Sequence, residues 1–301
     1  MNAFIHHLLE AGTVIADGAW GTELQARGLQ PGELPDAWNL EHPERVTEVA
    51  RSYVAAGSRV ILTNTFGANR FRMAGHALAH RVVEINRKGV LLSRQAAEGR
   101  ACVFASLGPS GKLLLSGDAT EEELRAAFDE QAEALADGGA DAIVVETITD
   151  LAEARIAVAA ARATGLPVVA CMVFDSGKQN DRTMMGATPE QTAAALTEAG
   201  ADVVGANCGV GIAQAVPVCR RMRTASNRPI WIKPNAGLPT MEGDRAVYRT
   251  TPDEFASFVP ALHEAGASII GGCCGTTPDF VRALRAKLGQ TGAAGRTGRL
   301  H

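Results

Sequence analysis

Eight short apolar segments, separated by helical patterns, constrain the fold of this chain most strongly. Most are near-continuous runs of Val, Ile and other apolar residues, as in parallel strands whose two faces are both buried. The segments are TVIADGA (13–19), VILTNTF (60–66), CVFASLG (102–108), AIVVETI (142–148), VVACMVF (168–174), VVGANCG (203–209), PIWIKPN (229–235) and SIIGGCC (268–274). They predict a parallel sheet whose strands are joined by helices.

The connecting segments carry the start signals of helices. Thr120 precedes three glutamates in the pattern of a capping box, and Asp150 stands where it would cap the next helix. Thr188 precedes a proline, which is typical of a first helical turn. Eight strand–helix pairs in about 280 residues match an α/β fold, the (β/α)8 TIM barrel, in number and size. An open doubly wound sheet is less favoured, because the chain lacks the glycine-rich phosphate loop of that fold.

A single domain is predicted, because no linker divides the chain. The barrel is assigned to residues 1–288, and the Gly-rich segment 289–301 is predicted to be a flexible C-terminal tail. Two insertions, residues 27–42 and 237–250, follow the first and seventh predicted strands. Nothing in their sequences indicates a role.

Composition excludes several classes of protein. A formal charge of −4 and the lack of a basic cluster argue against nucleic-acid binding. No apolar run approaches the ~20 residues of a membrane span, and the N-terminal residues do not have the pattern of a signal peptide. Six cysteines in 301 residues are too few for a disulfide scaffold, so the protein is predicted to be cytoplasmic.

Three cysteines stand where predicted strands end. Cys208 is followed by a glycine, and the adjacent Cys273 and Cys274 are flanked by glycines on both sides. Neighbouring side chains on a strand point to opposite faces, so these two serve one site only if the backbone bends there, as glycine permits. Three thiolates at one barrel mouth suit a soft, four-coordinate metal such as Zn²⁺, with one position left for a reacting ligand.

Other candidate residues lie at or just after the same strand ends. They are Asp17, Gly18, Ala19, Trp20, Trp38, Asn64, Phe66, Glu146 and Asn235. Each has a purely structural alternative: a helix or loop cap for Asp17 and Glu146, a turn residue for Asn235, and ordinary packing for the aromatic residues. The remaining cysteines are interpreted as core residues; they are Cys102, Cys171 and Cys219.

Six motifs, in order along nearly the whole chain, resemble the homocysteine S-methyltransferase family. They are DGAWGTEL (17–24), TNTFGANR (63–70), ETITD (146–150), GANCGVG (205–211), KPNAG (233–237) and GGCCGTTP (271–278). The resemblance implies a zinc-dependent (β/α)8 barrel enzyme that methylates homocysteine to methionine, and it implies dimers or tetramers.

The resemblance also implies roles for particular residues. The catalytic zinc ligands would be Cys208, Cys273 and Cys274. Asn235 aligns with an asparagine that takes the fourth zinc position when substrate is absent. Asp17 and Glu146 align with groups that hold the amino end of homocysteine, and the backbone from Gly18 through Ala19 and Trp20 would bind its carboxylate. Asn64 and Phe66 complete the implied substrate site.

The methyl donor is predicted to be a small onium compound. Glycine betaine is favoured, with S-methylmethionine and dimethylsulfoniopropionate as alternatives, because GANCGVG and RTMMG (182–186) resemble bacterial betaine-type members. Gly67, however, replaces a tyrosine of the animal betaine enzymes. Trp20, Trp38 and Phe66 are predicted to face the onium group, since aromatic rings attract cations.

Two other interpretations remain. The same barrel occurs in cobalamin-dependent methionine synthase, so the chain could be a homocysteine-activating subunit that accepts methyl from a separate methylcobalamin protein. A wide, flat mouth would favour that alternative. The other is an aldolase with a structural zinc, for which Lys233 is the one lysine at a predicted strand end.

Overall fold

The computed structural model describes residues 2–243 and 245–297. Eight parallel strands form its main sheet. Their bounds are β1 (Val14–Ile15), β2 (Val60–Ile61), β3 (Cys102–Leu107), β4 (Ala142–Ile148), β5 (Val168–Met172), β6 (Val203–Cys208), β7 (Ile230–Pro234) and β10 (Ala267–Ile270). Each strand overlaps one of the segments predicted from sequence.

The strands are arranged as a ring. Their order in the sheet is β1-β10-β7-β6-β5-β4-β3-β2, and a parallel bridge between Ala16 and Val60 brings β2 back to β1. At this seam the amide of Arg59 donates to the carbonyl of Ile15 over 2.8 Å. The predicted (β/α)8 TIM barrel with a single domain is therefore confirmed.

Helices connect the strands and surround the ring. Their bounds are α1 (Ala3–Leu9), α2 (Trp20–Ala26), α3 (Trp38–Glu41), α4 (Pro43–Ala56), α5 (Arg70–Ala74), α6 (Val82–Ala97), α7 (Glu121–Asp137), α8 (Leu151–Ala163), α9 (Pro189–Glu198), α10 (Ile212–Ala225), α11 (Pro252–Ser257), α12 (Val259–Glu264) and α13 (Pro278–Thr297). Thr120 and Thr188 form capping boxes, and Asp150 caps α8. None of the helices among the described residues is long and apolar enough to cross a membrane.

Large apolar side chains fill the interior of the barrel. The rings of Phe104 and Trp231 stack with centroids 6.1 Å apart. Phe4 of α1 packs against Phe104, also at 6.1 Å, and Ile5 is fully buried in the same cluster. Helix α1 therefore covers the amino end of the barrel, so that the open mouth lies at the carboxyl ends of the strands.

Both insertions fold into defined structure. Residues 27–42 contain a 3-10 helix at Pro35–Ala37 and helix α3, whereas residues 237–250 contain an antiparallel hairpin of β8 (Thr240–Glu242) and β9 (Arg245–Val247). Helix α13 continues as far as Thr297, within the segment 289–301 that was predicted to be flexible. Residues 298–301 of that predicted tail lie outside the described residues.

Candidate metal centre and substrate cavity

The sulfur atoms of Cys208, Cys273 and Cys274 lie together at the mouth of the barrel. The Sγ atom of Cys208 is 3.1 Å from that of Cys273 and 4.0 Å from that of Cys274. All three sulfurs lie within 4.8 Å of one another. Cys208 ends β6 with a φ of +59°, a left-handed conformation that few non-glycine residues adopt. Such local strain is typical of functional sites.

A tight turn after β10 lets the two adjacent cysteines face the same site. The amide of Cys273 donates to the carbonyl of Pro234 over 2.8 Å, and the carbonyl of Cys274 accepts from the amide of Ala236 over 2.9 Å. The hydroxyl of Thr276 then donates to the carbonyl of Cys273 over 2.7 Å. Gly275 completes the turn at a φ of +80°. The bend expected from the flanking glycines is therefore present.

The three thiols have very different affinities for protons. Hydrogen bonds from Cys208 and Cys273 lower the pKa of Cys274 to about 3. Hydrogen bonds with Cys273 and Cys274 raise the pKa of Cys208 well above its usual range. For Cys273 the hydrogen bond with Cys208 lowers the pKa, but the contact with Cys274 and burial outweigh it and raise the pKa to about 12. Without a cation the cluster therefore favours a single thiolate.

Asn235 lies beside this cluster, since its backbone amide donates to the carbonyl of Cys208 over 3.3 Å. It follows β7, which lies between β6 and β10 in the ring, and its Nδ2 donates to the carbonyl of Gly209 over 2.7 Å. Its Oδ1 is buried with no hydrogen-bond partner among the described residues, an arrangement that costs free energy unless another group is bound there. The three sulfurs fit a Zn²⁺ site with a fourth position left for another ligand, and the role of Asn235 as that ligand stays a prediction.

The sulfurs face a cavity of about 420 Å³. Most of the predicted site residues line it, namely Gly18, Ala19, Trp20, Asn64, Phe66, Glu146, Cys208, Cys273 and Cys274. Three further lining residues, Asp36, Arg72 and Ser106, received no role from the sequence. Ser106 stands near the end of β3, so the strand-end rule would have found it. Asp36 and Arg72 lie after strands in connecting segments that carry no such signal.

Glu146 ends up deep in the cavity wall, with 7% of its surface exposed. The hydroxyl of Ser106 donates to its Oε1 over 2.5 Å, and Nδ2 of Asn207 lies 3.4 Å from its Oε2. Burial raises the pKa of Glu146 to about 7, although the nearby ammonium of Lys233 opposes this rise. Asn207 also accepts from the amide of Thr147 over 2.8 Å, which holds that residue at a φ of +63°.

Asp17 does not line the cavity; it is fully buried beneath it. Its Oδ2 accepts from the indole N–H of Trp20 over 2.8 Å and from the amide of Leu62 over 2.7 Å. Its Oδ1 accepts from Nζ of Lys233. Both oxygens are therefore used within the protein, which differs from the expected direct contact with the amino group of homocysteine. Lys233, with 2% of its surface exposed, forms an ion pair with the Asp17 carboxylate.

The three aromatic residues predicted to face an onium group are engaged in other contacts. Trp38 packs in the main hydrophobic core rather than in the cavity wall, with His42 at 4.7 Å and the guanidinium of Arg45 at 5.2 Å from its ring centre. Its donor-facing role is therefore corrected to packing. Trp20 lines the cavity but binds Asp17, and the guanidinium of Arg72 lies 5.7 Å from the centre of the Phe66 ring.

The segment of residues 237–250 brings Tyr248 to the cysteine cluster. Its ring packs on Gly275 so closely that a Cβ atom there would lie 2.2 Å from it. Its hydroxyl hydrogen-bonds to the Cys274 sulfur, which is one cause of the low pKa of that thiol. The second insertion thus covers one side of the cysteine turn.

Comparisons with known proteins find relatives along nearly the whole chain. Over 300 residues the chain is 32% identical to methionine synthase of Mycobacterium tuberculosis, covering 93% of this chain and 25% of that protein. Methionine synthase of Mycobacterium leprae is 31% identical over 293 residues, covering 91% of this chain and 24% of that protein. The chain thus spans about a quarter of the length of these relatives.

A solved structure and a family model cover almost the whole barrel. The metallated form of the homocysteine methyltransferase MmuM from Escherichia coli matches with a TM-score of 0.80 and 25% identity, covering 95% of this chain and 100% of that one. The model of the family described as homocysteine S-methyltransferase matches residues 14–288. These matches and the motifs agree: the chain belongs to the homocysteine S-methyltransferase family.

Proposed function

We propose that this protein transfers a methyl group to the sulfur of homocysteine, giving methionine, with Zn²⁺ held by Cys208, Cys273 and Cys274. The observation that supports this most is the three-sulfur cluster, which opens onto the same cavity as Glu146. Bound there, Zn²⁺ would supply the positive charge that keeps a substrate thiol deprotonated at neutral pH. Asn235 would yield its place as the fourth ligand to the substrate sulfur.

The chain itself binds and orients homocysteine. Glu146 faces the ammonium group, and the hydroxyl of Ser106 fixes the orientation of its carboxylate. The first N–H groups of α2, at Trp20 and Thr22, have no acceptor within their helix and stand in the cavity wall, where the substrate carboxylate would accept from them. Asp17 supports this wall from beneath, because its carboxylate holds the indole of Trp20.

A small onium donor, glycine betaine first, suits this cavity. The thiolate sulfur forms a bond to the methyl carbon while the bond from carbon to the onium nitrogen breaks, and the nitrogen keeps the electron pair. Dimethylglycine would thus leave with a neutral amine, so no general acid has to protonate the leaving group. No histidine is among the residues that line the cavity. Positioning is then the main requirement for catalysis.

A second candidate is transfer from a separate methylcobalamin protein. Two observations favour it: the relatives are named methionine synthases, and large apolar residues are exposed on the loops around the mouth. They are Leu113, Leu115, Met184, Met185, Leu238 and Met241. They lie on the loops after β3, β5 and β7, at the carboxyl ends of the strands, and exposed apolar surface often marks a docking site.

The test is methionine formation by the purified, zinc-loaded protein with each donor in turn, followed by mass spectrometry. We expect turnover with at least one onium donor, and loss of both zinc and turnover in the Cys208→Ala variant. Cys102→Ala, at the start of β3 and outside the cluster, is the matched control and should keep both. Turnover with a methylcobalamin protein and with no onium donor would establish the second candidate instead. Stoichiometric zinc in the triple cysteine-to-alanine variant would refute the metal assignment.

A further inference from the structure

The cavity wall contains an arginine that the protein itself does not hydrogen-bond. Arg72 of α5 lines the cavity, and among the described residues its guanidinium makes no hydrogen bond or ion pair. Arg70, two residues earlier, is in contrast fully engaged, with two hydrogen bonds of 3.0 and 2.7 Å to Glu130. The guanidinium of Arg72 lies over the ring of Phe66, so it is held in place but free to bind an anion.

An acidic group accompanies Arg72 in the same wall. Asp36, with 3% of its surface exposed, accepts from the amide of Gly67 over 2.9 Å through Oδ1. Burial raises the pKa of Asp36 to about 6, whereas the hydrogen bond from Gly67 and the charge of Arg72 act in the opposite direction. No ion pair joins Asp36 directly to Arg72 within the described parts of the chain. The wall thus presents one negative and one positive group side by side.

This pair lines the same cavity as the sulfur cluster. Phe66 and Arg72 follow β2, and Cys208 ends β6. These two strands are four positions apart in the ring of eight, so residues at their carboxyl ends stand on opposite sides of the barrel. Cys273 and Cys274 follow β10, which is two positions from β2. A molecule that fills the cavity between Arg72 and Cys208 would have one end near Arg72 and its other end toward the sulfurs.

We propose that Asp36 and Arg72 form the donor subsite, in which Arg72 binds the carboxylate of a zwitterionic methyl donor and Asp36 faces its onium centre. The inference rests on the proposed function and narrows it to donors that carry both charges. A guanidinium presents several N–H groups in a plane and matches a carboxylate better than any other side chain. An onium group has no N–H to donate, so a nearby carboxylate attracts it through charge alone.

The experiment uses two donors that differ in the carboxylate: dimethylsulfoniopropionate, which has one, and trimethylsulfonium, which has none. Binding of each to the zinc-loaded protein is measured by calorimetry without homocysteine, and the KM of each substrate is measured during turnover. We expect Arg72→Gln to weaken binding of dimethylsulfoniopropionate by about tenfold or more, the usual scale for a lost charge-assisted hydrogen bond. Binding of trimethylsulfonium and the KM for homocysteine should stay unchanged.

Arg70→Gln removes the same charge from the same helix and is the matched control; it should leave the binding of both donors as in the parent protein. Asp36→Asn should weaken both donors, because both carry the onium charge. The proposal would be overturned if Arg72→Gln and Arg70→Gln weakened the binding of dimethylsulfoniopropionate equally. So would an increase in the KM for homocysteine in Arg72→Gln, or a failure of dimethylsulfoniopropionate to bind at all. Absence of methionine formation would refute the proposed function separately, since the role of Arg72 is measured by binding alone.

Discussion

The buried pair of Asp17 and Lys233 offers a quantitative test of how the site is supported. Both side chains are almost completely inaccessible, with 0% and 3% exposure. Burial lowers the pKa of Lys233, but the charges of Asp17, Glu146 and Cys273 outweigh it, so the pKa is raised. Removing one partner of such a pair leaves the other as an uncompensated buried charge, which typically costs about 3–5 kcal/mol.

We expect Lys233→Met to lower the free energy of unfolding by about 3 kcal/mol, at the low end of that range. The reason is that Asp17 keeps two other donors, the indole of Trp20 and the amide of Leu62. Asp17→Asn should cost a similar amount, because the ammonium group then faces an amide. The double variant should lose only about 2 kcal/mol, the cost of one unsatisfied buried amide.

The assay is urea unfolding of the metal-free protein at pH 7.5, followed by circular dichroism. Lys178→Met, which removes a lysine from an exposed loop position, is the control and should change stability by less than about 0.5 kcal/mol. A loss below about 1 kcal/mol for Lys233→Met, or a double variant as unstable as the sum of the single ones, would refute the ion-pair argument.

Three further predictions concern single side chains. Since the pKa of Glu146 is raised from 4.5 to about 7, it holds a proton in the folded state that the unfolded state loses. Its contribution to the free energy of unfolding therefore falls as pH rises from 4.5 to 7. Glu146→Gln should remove that fall and make the metal-free protein more stable than the parent at pH 8 by up to about 3 kcal/mol. The measurement is urea unfolding across this pH range, and an identical pH dependence of stability in parent and variant would contradict the prediction. Gly275→Ala should lower the free energy of unfolding more than Gly165→Ala does. The two glycines have the same φ of +80°, but Gly165 has open space around it. This additional loss of stability should disappear in the Tyr248→Ala background, and thermal unfolding of the variants measures it. Asn235→Ala should weaken zinc binding by about tenfold in chelator competition, and the difference should vanish once homocysteine is present.

The sequence predicted the barrel well, because strands buried on both faces have a composition that few other elements share. Strand ends were predicted less well. The first segment was expected to be extended from residue 13 to 19, but β1 contains only Val14–Ile15. Backbone hydrogen bonds to the last strand's segment continue at Ala16 and Asp17, and the chain then turns so that Gly18 lines the cavity. A composition rule does not show where such a turn begins.

The cluster of cysteines was visible in the sequence because glycines next to each of them permit the turns that the structure contains. The ion pair of Asp17 and Lys233 was not visible in the sequence, since it joins residues 216 positions apart that carry no shared local pattern. Nor does a tryptophan in an insertion reveal the direction of its side chain, which is why Trp38 was assigned to the cavity rather than to the core. Charged residues in loops, such as Asp36 and Arg72, look like ordinary surface residues until the fold places them.

The pairing of the first strand with the last has a consequence for biosynthesis. Strand β1 has β10 as a ladder partner, and the amide of Gly275 donates to the hydroxyl of Thr22 over 3.1 Å. During translation, the first strand therefore cannot pair with β10 until almost the entire barrel has been synthesised. The cysteine cluster forms at this last junction, because two of its three sulfurs follow β10. A chain released early would carry one cysteine of the cluster, so the proposed zinc binding would distinguish completed barrels from interrupted ones.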